Sequence, residues 1–454
     1  MKIFERDYLA LNLLNVSLYI IPISFLIGNF AINLNVFLII IFGLTKYRSK
    51  IFQIQKNDLL SIFLLIFFLF IIFTSIFNYF ESSHGYNIIK SFLFLRYFLL
   101  YLVLGHMVEK KDLNFKIFFS SCALISLFLS TDIVLQFSTG KDLLNFQTIG
   151  GVYNSGFFGT ELVAGGFLIR FLFLGLFCFV FLNNFKQKIE PLIFCSIFII
   201  GFIGMVLSGN RMPVFMFLPF VFLSLFFLTE FRKKIFISFL LCLIFFSVLL
   251  KINDQYYNKY SSFIGNAQNI IVKFPIYIKK NLFVQKDLNK NVLDIEKSIK
   301  KKEERINIGS GHLAVFLTAF DVWKSNTKIG GGIKSFRINC FKFSKGDPSK
   351  YQTNRYCDAH PHNYYLEILT DTGIIGLLLF LIILYQMVIK GIFKANKMYS
   401  KDKIIFISLM ICLIVELFPL RSTGSIFSTN NASYIFILIG LISKLNIAGK
   451  NIKN

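Results

Sequence analysis

The chain has 454 residues, 55% of them hydrophobic and 59 of them Phe, with a formal net charge of +24 and a mean hydropathy of +0.66. A soluble protein of this length cannot bury so much apolar surface. The apolar residues also fall in blocks of about 18 to 25, the length of a bilayer-spanning helix, so the sequence predicts an all-α polytopic membrane protein.

In chain order the hydropathy predicts twelve spans, near 9–29, 31–45, 58–78, 88–107, 115–136, 159–182, 190–208, 212–229, 234–251, 374–393, 403–420 and 432–447. The first has no small-residue cleavage site and reads as a retained helix. The seventh and eighth are separated only by SGNRMP. The positive charge does not point to nucleic acid, because of where it sits. With residue 1 cytoplasmic, the loops and tails on that side collect about 22 Lys and Arg, mostly in KYRSK, EKKD, FKQK, FRKK and KANKMYSKDK. The short loops on the other face hold Lys141, Arg211 and Arg421. This bias predicts that both termini are cytoplasmic.

The segment 252–362, between spans nine and ten, is the one soluble-sized piece, on the outer face. Stretches such as FPIYIKKNLFV read as helices on the membrane surface, and QKDLNKNVLDIEKSIKKKEER reads as a solvated charged run. No internal repeat of the transporter kind is visible. Cys122, Cys178, Cys195, Cys242 and Cys412 fall inside spans and read as small buried hydrophobes. Cys340 and Cys357 both lie in the outer segment, where an oxidising compartment lets them form a disulfide. No zinc-type Cys/His spacing, P-loop or GxGxxG is present, so no metal or cofactor is expected.

Charge inside a span is costly and marks a polar cavity or a partner. Arg96 in SFLFLRYFLLY and Arg170 in GGFLIRFLFLG lie near mid-span; Asp132, Glu161 and Glu416 lie in or near outer halves. These acids either pair with the arginines as internal glue or leave them free for substrate. Arg211 has a more pointed setting. Ser208, Gly209 and Asn210 break the helix at the outer interface, and Pro213 suits the first turn of the next. A guanidinium on such a turn suits a two-pronged grip on phosphate oxygens.

Residues 360 to 376, HPHNYYLEILTDTGIIG, precede span ten. Pro361 reads as the first turn of a helix, with His360 before it held out of helical geometry. That reading puts His362 and Asn363 in the first turn of an outer-surface helix running through Thr372. Gly373 then ends it and the span begins at Ile374. A histidine there can take a proton at working pH.

The string H-N-x9-G-x-x-G, met by His362, Asn363, Gly373 and Gly376, resembles the signature of the bacterial O-antigen ligase and polymerase family. LSGNRMPVFMFL (207–218) resembles its SGSR-type turn, with Asn210 in place of serine. NSGFFGTELVAGGFL (154–168) resembles its Gly-rich lead-in to an earlier span. GSGHLAVFLTAFDVWKSNTKIGGGIKSF (309–336) resembles the helix and turn of its large periplasmic loop, with His312 where many members carry arginine. The likeness runs from the second half of span five onward; the first hundred residues agree only in hydropathy.

The resemblance implies metal-independent, inverting glycan transfer at the periplasmic face of the bacterial inner membrane. The donor is an undecaprenyl-diphosphate-linked glycan; the acceptor hydroxyl belongs to lipid A–core, to a growing glycan or to protein. His362 would be the general base, with His360 as the alternative. Arg211, with Arg96 and Arg170, would hold the diphosphate, Asn363 would orient the base or bind sugar, and His312 would contact sugar or phosphate. Ligation to lipid A–core is favoured over polymerisation because the signature and the single large loop are typical of ligases. The rival from another class is a transporter or flippase, in which the intramembrane arginines form an anionic path.

Overall fold

The protein is described here by a computed structural model covering residues 2–82, 85–283, 311–343, 355–395, 398 and 400–445. The charged run 285–305 lies outside the described residues. Within them the chain is all-helical, with no strand; the extended pairings are the isolated bridges Lys141–Gln147 and Ile149–Tyr153.

The helices are α1 (Lys2–Tyr19), α2 (Ile21–Ile27), α3 (Asn29–Tyr47), α4 (Leu59–Ser82), α5 (Gly85–Phe94), α6 (Arg96–Glu109), α7 (Phe115–Thr139), α8 (Ala164–Leu182), α9 (Glu190–Leu207), α10 (Arg211–Phe227) and α11 (Arg232–Ile252). There follow α12 (Asp254–Phe283), α13 (Gly311–Ser325), α14 (Phe336–Asn339), α15 (Tyr364–Leu384), α16 (Lys390–Ala395), α17 (Ser400–Glu416) and α18 (Thr429–Ser443).

Among the described residues, eight helices are long and apolar enough to cross a membrane, or nine if the bent pair α1–α2 counts as one. This is a multi-pass membrane protein. The count differs from the twelve expected spans for a physical reason. The helices at spans eight, eleven and twelve run only 17, 17 and 15 residues, because polar turns at 208–210 and 417–428 cut into the apolar blocks. The first expected span is bent by 51° near Ile20. Segment 252–362 contributes a 30-residue helix, α12, with Pro275 inside it, and the shorter α13 and α14.

Helix ends follow local chemistry. Asn114 caps α7, accepting from the Ile117 amide at 3.4 Å, and Gly140 ends it at φ 81°, a left-handed stop that glycine adopts without strain. Most of α8 is buried, whereas α11 leaves Phe236, Ile244 and Val248 exposed, as a lipid-facing helix must. Between helices, close packing replaces the hydrophobic drive that lipid removes. A Cβ on Gly175 would meet the Ala123 amide nitrogen at 2.7 Å. Phe173 lies 4.5 Å from Phe220 and 5.7 Å from Phe198, and Phe177 lies 5.8 Å from Phe194.

Candidate functional site

The turns before α8, α10, α15 and α18 meet at one end of the bundle, around a cavity of about 1130 Å3. One face of α12 lies along it through Phe263, Asn266, Ala267, Ile270 and Phe274, the spacing of one helical stripe. The cavity also takes in Arg170, Arg211, His312, Asn363, Arg421 and Glu161. It therefore collects four of the residues expected from sequence. His360 and His362 sit beside it, behind His312. Arg96 does not line it: its Nη2 donates to Asn33 Oδ1 and to Tyr97 Oη, both at 2.9 Å, at the break between α5 and α6.

Two sequence segments hold Arg211 in place. The Asn210 amide bridges from the turn to the lead-in of α8, accepting from Gly165 N at 2.9 Å and donating to the Leu162 carbonyl at 2.9 Å. Gly165 is required there, since a Cβ would meet Ser208 Oγ at 2.6 Å. Arg211 opens α10 with its guanidinium 5.8 Å from the Phe263 ring. Among the described residues no carboxylate pairs with it, so its charge is open to the cavity.

Arg170 is held differently. It is buried, and its Nε and Nη2 donate to the two oxygens of Glu416 at 2.8 and 2.5 Å. It also bonds the side chains of Asn430 and Asn431. Glu416 also accepts from Arg421 Nη1 at 2.6 Å and from Tyr364 Oη at 2.8 Å. One carboxylate thus stands between two guanidiniums, and two positive charges against one negative leave the cluster net positive toward the cavity. The glue reading of the arginine–acid pairs holds for Arg170 and Glu416. Asp132 instead accepts from the Leu143 amide at 2.9 Å, while Glu161 stays on the cavity wall. Asn431 was not singled out from sequence, and Arg421 was read only as one of the three basic residues of the outer-face loops; both lie on the connection 417–431 between two apolar blocks.

The HPHN stretch departs from expectation in one respect. Pro361 is not in a helical first turn, and neither are His362 and Asn363. The helix begins at Tyr364, with Asn363 as its N-cap accepting from the Tyr365 and Leu366 amides at 3.0 and 3.2 Å. The cause is His362, which takes φ 57°, a left-handed conformation that stops the helix one residue earlier. Its carbonyl accepts from Thr423 N at 3.0 Å. Asn363 also donates to the Pro419 carbonyl at 2.7 Å, so its amide is tied up in fixing the turn against the 417–424 connection.

The His362 ring lies 5.0 Å from that of His312 and 4.3 Å from that of His360. Its Nε2 lies 3.0 Å from Asp358 Oδ2. Burial pushes the Asp358 carboxyl up, but hydrogen bonds from His362 and the Ala359 amide outweigh this and leave it below the usual range. An ionised carboxylate only accepts, so the His362 nitrogen facing it carries a proton, and whenever the ring is neutral it is Nδ1 that holds the lone pair. Burial first, then the charges of His362 and Arg211, push His312 down. Burial and the neighbouring His362 charge push His360 down to about 4.

Gly373 breaks α15 as expected, at φ 64°, ψ −168°. It faces the Gly-rich turn 328–332: a Cβ on Gly373 would meet the Lys328 carbonyl oxygen at 2.3 Å, and one on Gly330 would meet the Gly373 nitrogen at 2.5 Å. Backbone bonds Gly331 N to Thr370 O (3.0 Å), Gly332 N to Asp371 O (2.8 Å) and Ile374 N to Thr327 O (3.0 Å) lock the two together. Asp371 adds the Lys334 amide at 2.6 Å and Ser335 Oγ at 3.0 Å. Cys340 and Cys357 stand as a disulfide, Cα atoms 5.2 Å apart, joining the end of α14 to the chain that leads into Asp358 and His362. Among the described residues no group of three or more His, Cys, Asp or Glu is placed to hold a metal ion.

These features define a multi-pass helical membrane protein whose helix-end turns enclose a cationic cavity beside a carboxylate-paired histidine. Residues 196–381, under half of the chain, match the Wzy_C family model, O-antigen ligase. The match spans the turn of Arg211, the 309–336 segment and the HPHN stretch; the lead-in at 154–168 lies before it. No curated protein matches the chain.

Proposed function

We propose that this protein transfers a glycan from an undecaprenyl-diphosphate carrier to an acceptor hydroxyl, and that the acceptor is lipid A–core, as in O-antigen ligation. The reading places it in a bacterial inner membrane with twelve spans and both termini cytoplasmic, so that the cavity opens at the periplasmic face. The observation that carries it is an open guanidinium on the cavity wall, Arg211, with an Asp358-paired imidazole, His362, beside the cavity 5.0 Å from the wall residue His312.

The chemistry follows from those two groups. The acceptor oxygen attacks the anomeric carbon from the side opposite the diphosphate, so configuration inverts. As that bond forms, the acceptor proton passes to His362 Nδ1. The bond from the anomeric carbon to the phosphate oxygen breaks, and its electron pair leaves with the diphosphate. Arg211 meets the growing negative charge through a two-pronged contact. Arg170 and Arg421, tied to Glu416, add positive potential without being free to move, and His312 lies between the two sites to contact sugar or phosphate.

The test is surface glycan in cells expressing His362→Ala or Arg211→Ala at wild-type membrane levels. Loss of attached glycan with polymer accumulating on the carrier is the expected result. Normal surface glycan with both variants overturns the enzymatic reading. Single repeat units on lipid A–core in a deletion strain would replace ligation by polymerisation.

A further inference from the structure

Beside the Arg211 turn is a second cation that the mechanism above does not use. Lys259, on the second turn of α12, places its ammonium 3.1 Å from the centre of the Tyr153 ring. Its Nζ is enclosed and has no hydrogen-bond partner. No carboxylate among the described residues pairs with it. A Cβ built on Gly209, two residues before Arg211, would come within 2.9 Å of it. Tyr153 and Gly209 both line the cavity, so the ammonium stands directly behind the wall on which Arg211 is mounted.

An enclosed ammonium without a counter-ion is unfavourable, and a second cation nearby makes it more so. A tyrosine face offsets part of this, but it is a weak partner compared with an anion. We propose that Lys259 is the second cation of the phosphate site: it rests against Tyr153 in the empty protein and swings past Gly209 to meet the anion that Arg211 grips. The inference rests on the reading of Arg211 as a phosphate-binding residue. It assigns to α12 a direct part in ligand capture, in addition to covering the cavity. The ligand chemistry is an organic diphosphate, whose two or more negative charges need more than one positive charge to be neutralised.

Burial first, then the Arg211 charge, pull Lys259 down to about 8. The groups facing it are Arg211 and the Tyr153 ring, with Tyr256 and Tyr260 on its own helix. Burial holds both of those tyrosines above their ordinary range, and the guanidinium does not titrate in the working range. An anion beside Lys259 favours its charged form. Binding should therefore take up a proton, and affinity should fall as pH rises through about 8.

The experiment uses the purified full chain in detergent, with farnesyl diphosphate as the probe and inorganic pyrophosphate in a parallel arm that separates a lipid headgroup from free phosphate. In the wild type the Kd for farnesyl diphosphate should weaken about tenfold between pH 7 and pH 9. Lys259→Gln should bind about tenfold more weakly at pH 7 and lose the pH dependence, while Lys259→Arg should keep the affinity at both pH values. Lys259→Gln binding with wild-type affinity and pH profile overturns the inference. If Arg211→Ala still loses binding in that case, only the role of Lys259 falls; if Arg211→Ala also binds normally, the phosphate site falls with it.

Discussion

Asp358 and His362 meet at 3.0 Å across a non-helical turn, so one carboxylate sets which imidazole nitrogen is left free. The spacing of four would put both on one helix face, yet no helix is present there. The left-handed His362 and the extended Asn363 bring the ring back onto the chain that precedes it.

For the proposed base this gives a rate signature. Asp358→Asn removes the carboxylate that fixes the imidazole tautomer, so the transfer rate should drop by on the order of 10²-fold at unchanged membrane abundance. A wild-type rate would show that the pair is not coupled to the reaction. His362→Asn is the matching control: asparagine tolerates a positive φ, so the variant should fold, reach the membrane and lack transfer.

Glu416 accepts from Arg170, Arg421 and Tyr364 inside the bundle. Glu416→Ala leaves two buried guanidiniums without their counter-ion and should cost about 3–5 kcal/mol. Thermal unfolding in detergent and membrane abundance would both report it. A variant as stable as wild type would mean that the two arginines find other partners.

The contact between Gly373 and the 328–332 turn predicts an unusual sensitivity to the smallest side chain. Gly373→Ala and Gly330→Ala each combine a left-handed backbone, costing about 1–2 kcal/mol for alanine, with a Cβ driven into main chain. Both should lower the melting temperature markedly and expose the 328–336 segment to protease. Gly166→Ala, with nothing within 4 Å of its Cβ, should leave both readouts unchanged.

His360 makes a prediction about stability against pH. Its folded form is held down to about 4 by burial and by His362, whereas the unfolded chain takes up that proton near 6.5. Folding stability should decline as pH falls from about 6.5 toward about 4, since the unfolded state binds the extra proton. His360→Gln should flatten that part of the curve in a series of melts. An identical slope would remove His360 as its source.

Much of this arrangement was legible in the sequence, and the failures share a cause. The apolar blocks marked the membrane class, the SGNR turn marked an outward arginine, and the nine-residue gap from Asn363 to Gly373 marked a polar helix with a break. Each is a local property. Asn431 went unnoticed, and Arg421 was read only as an outer-face charge, because the cluster is completed by Arg170, more than 240 positions before Glu416 and Asn431, and no periodicity encodes such a partnership. Lys259 was one basic residue among many in the 252–362 segment until the fold set it behind Gly209. The helix start was misplaced because Pro361 fits a first turn equally well. Only the conformation of His362 excludes that, and histidine's identity does not announce a positive φ.

The Arg170–Glu416 pair has a consequence for how the protein can be divided. Arg170 precedes the recognised domain and Glu416 and Arg421 follow it, yet all three form one buried charge cluster at the cavity. The stretch 196–381 is therefore not self-contained: Tyr364 inside it donates to Glu416 outside it. A chimaera with a single junction at either border would take Arg170 from one parent and Glu416 from the other. Exchange of the matched stretch between relatives should succeed only when the two flanks stay together from one parent.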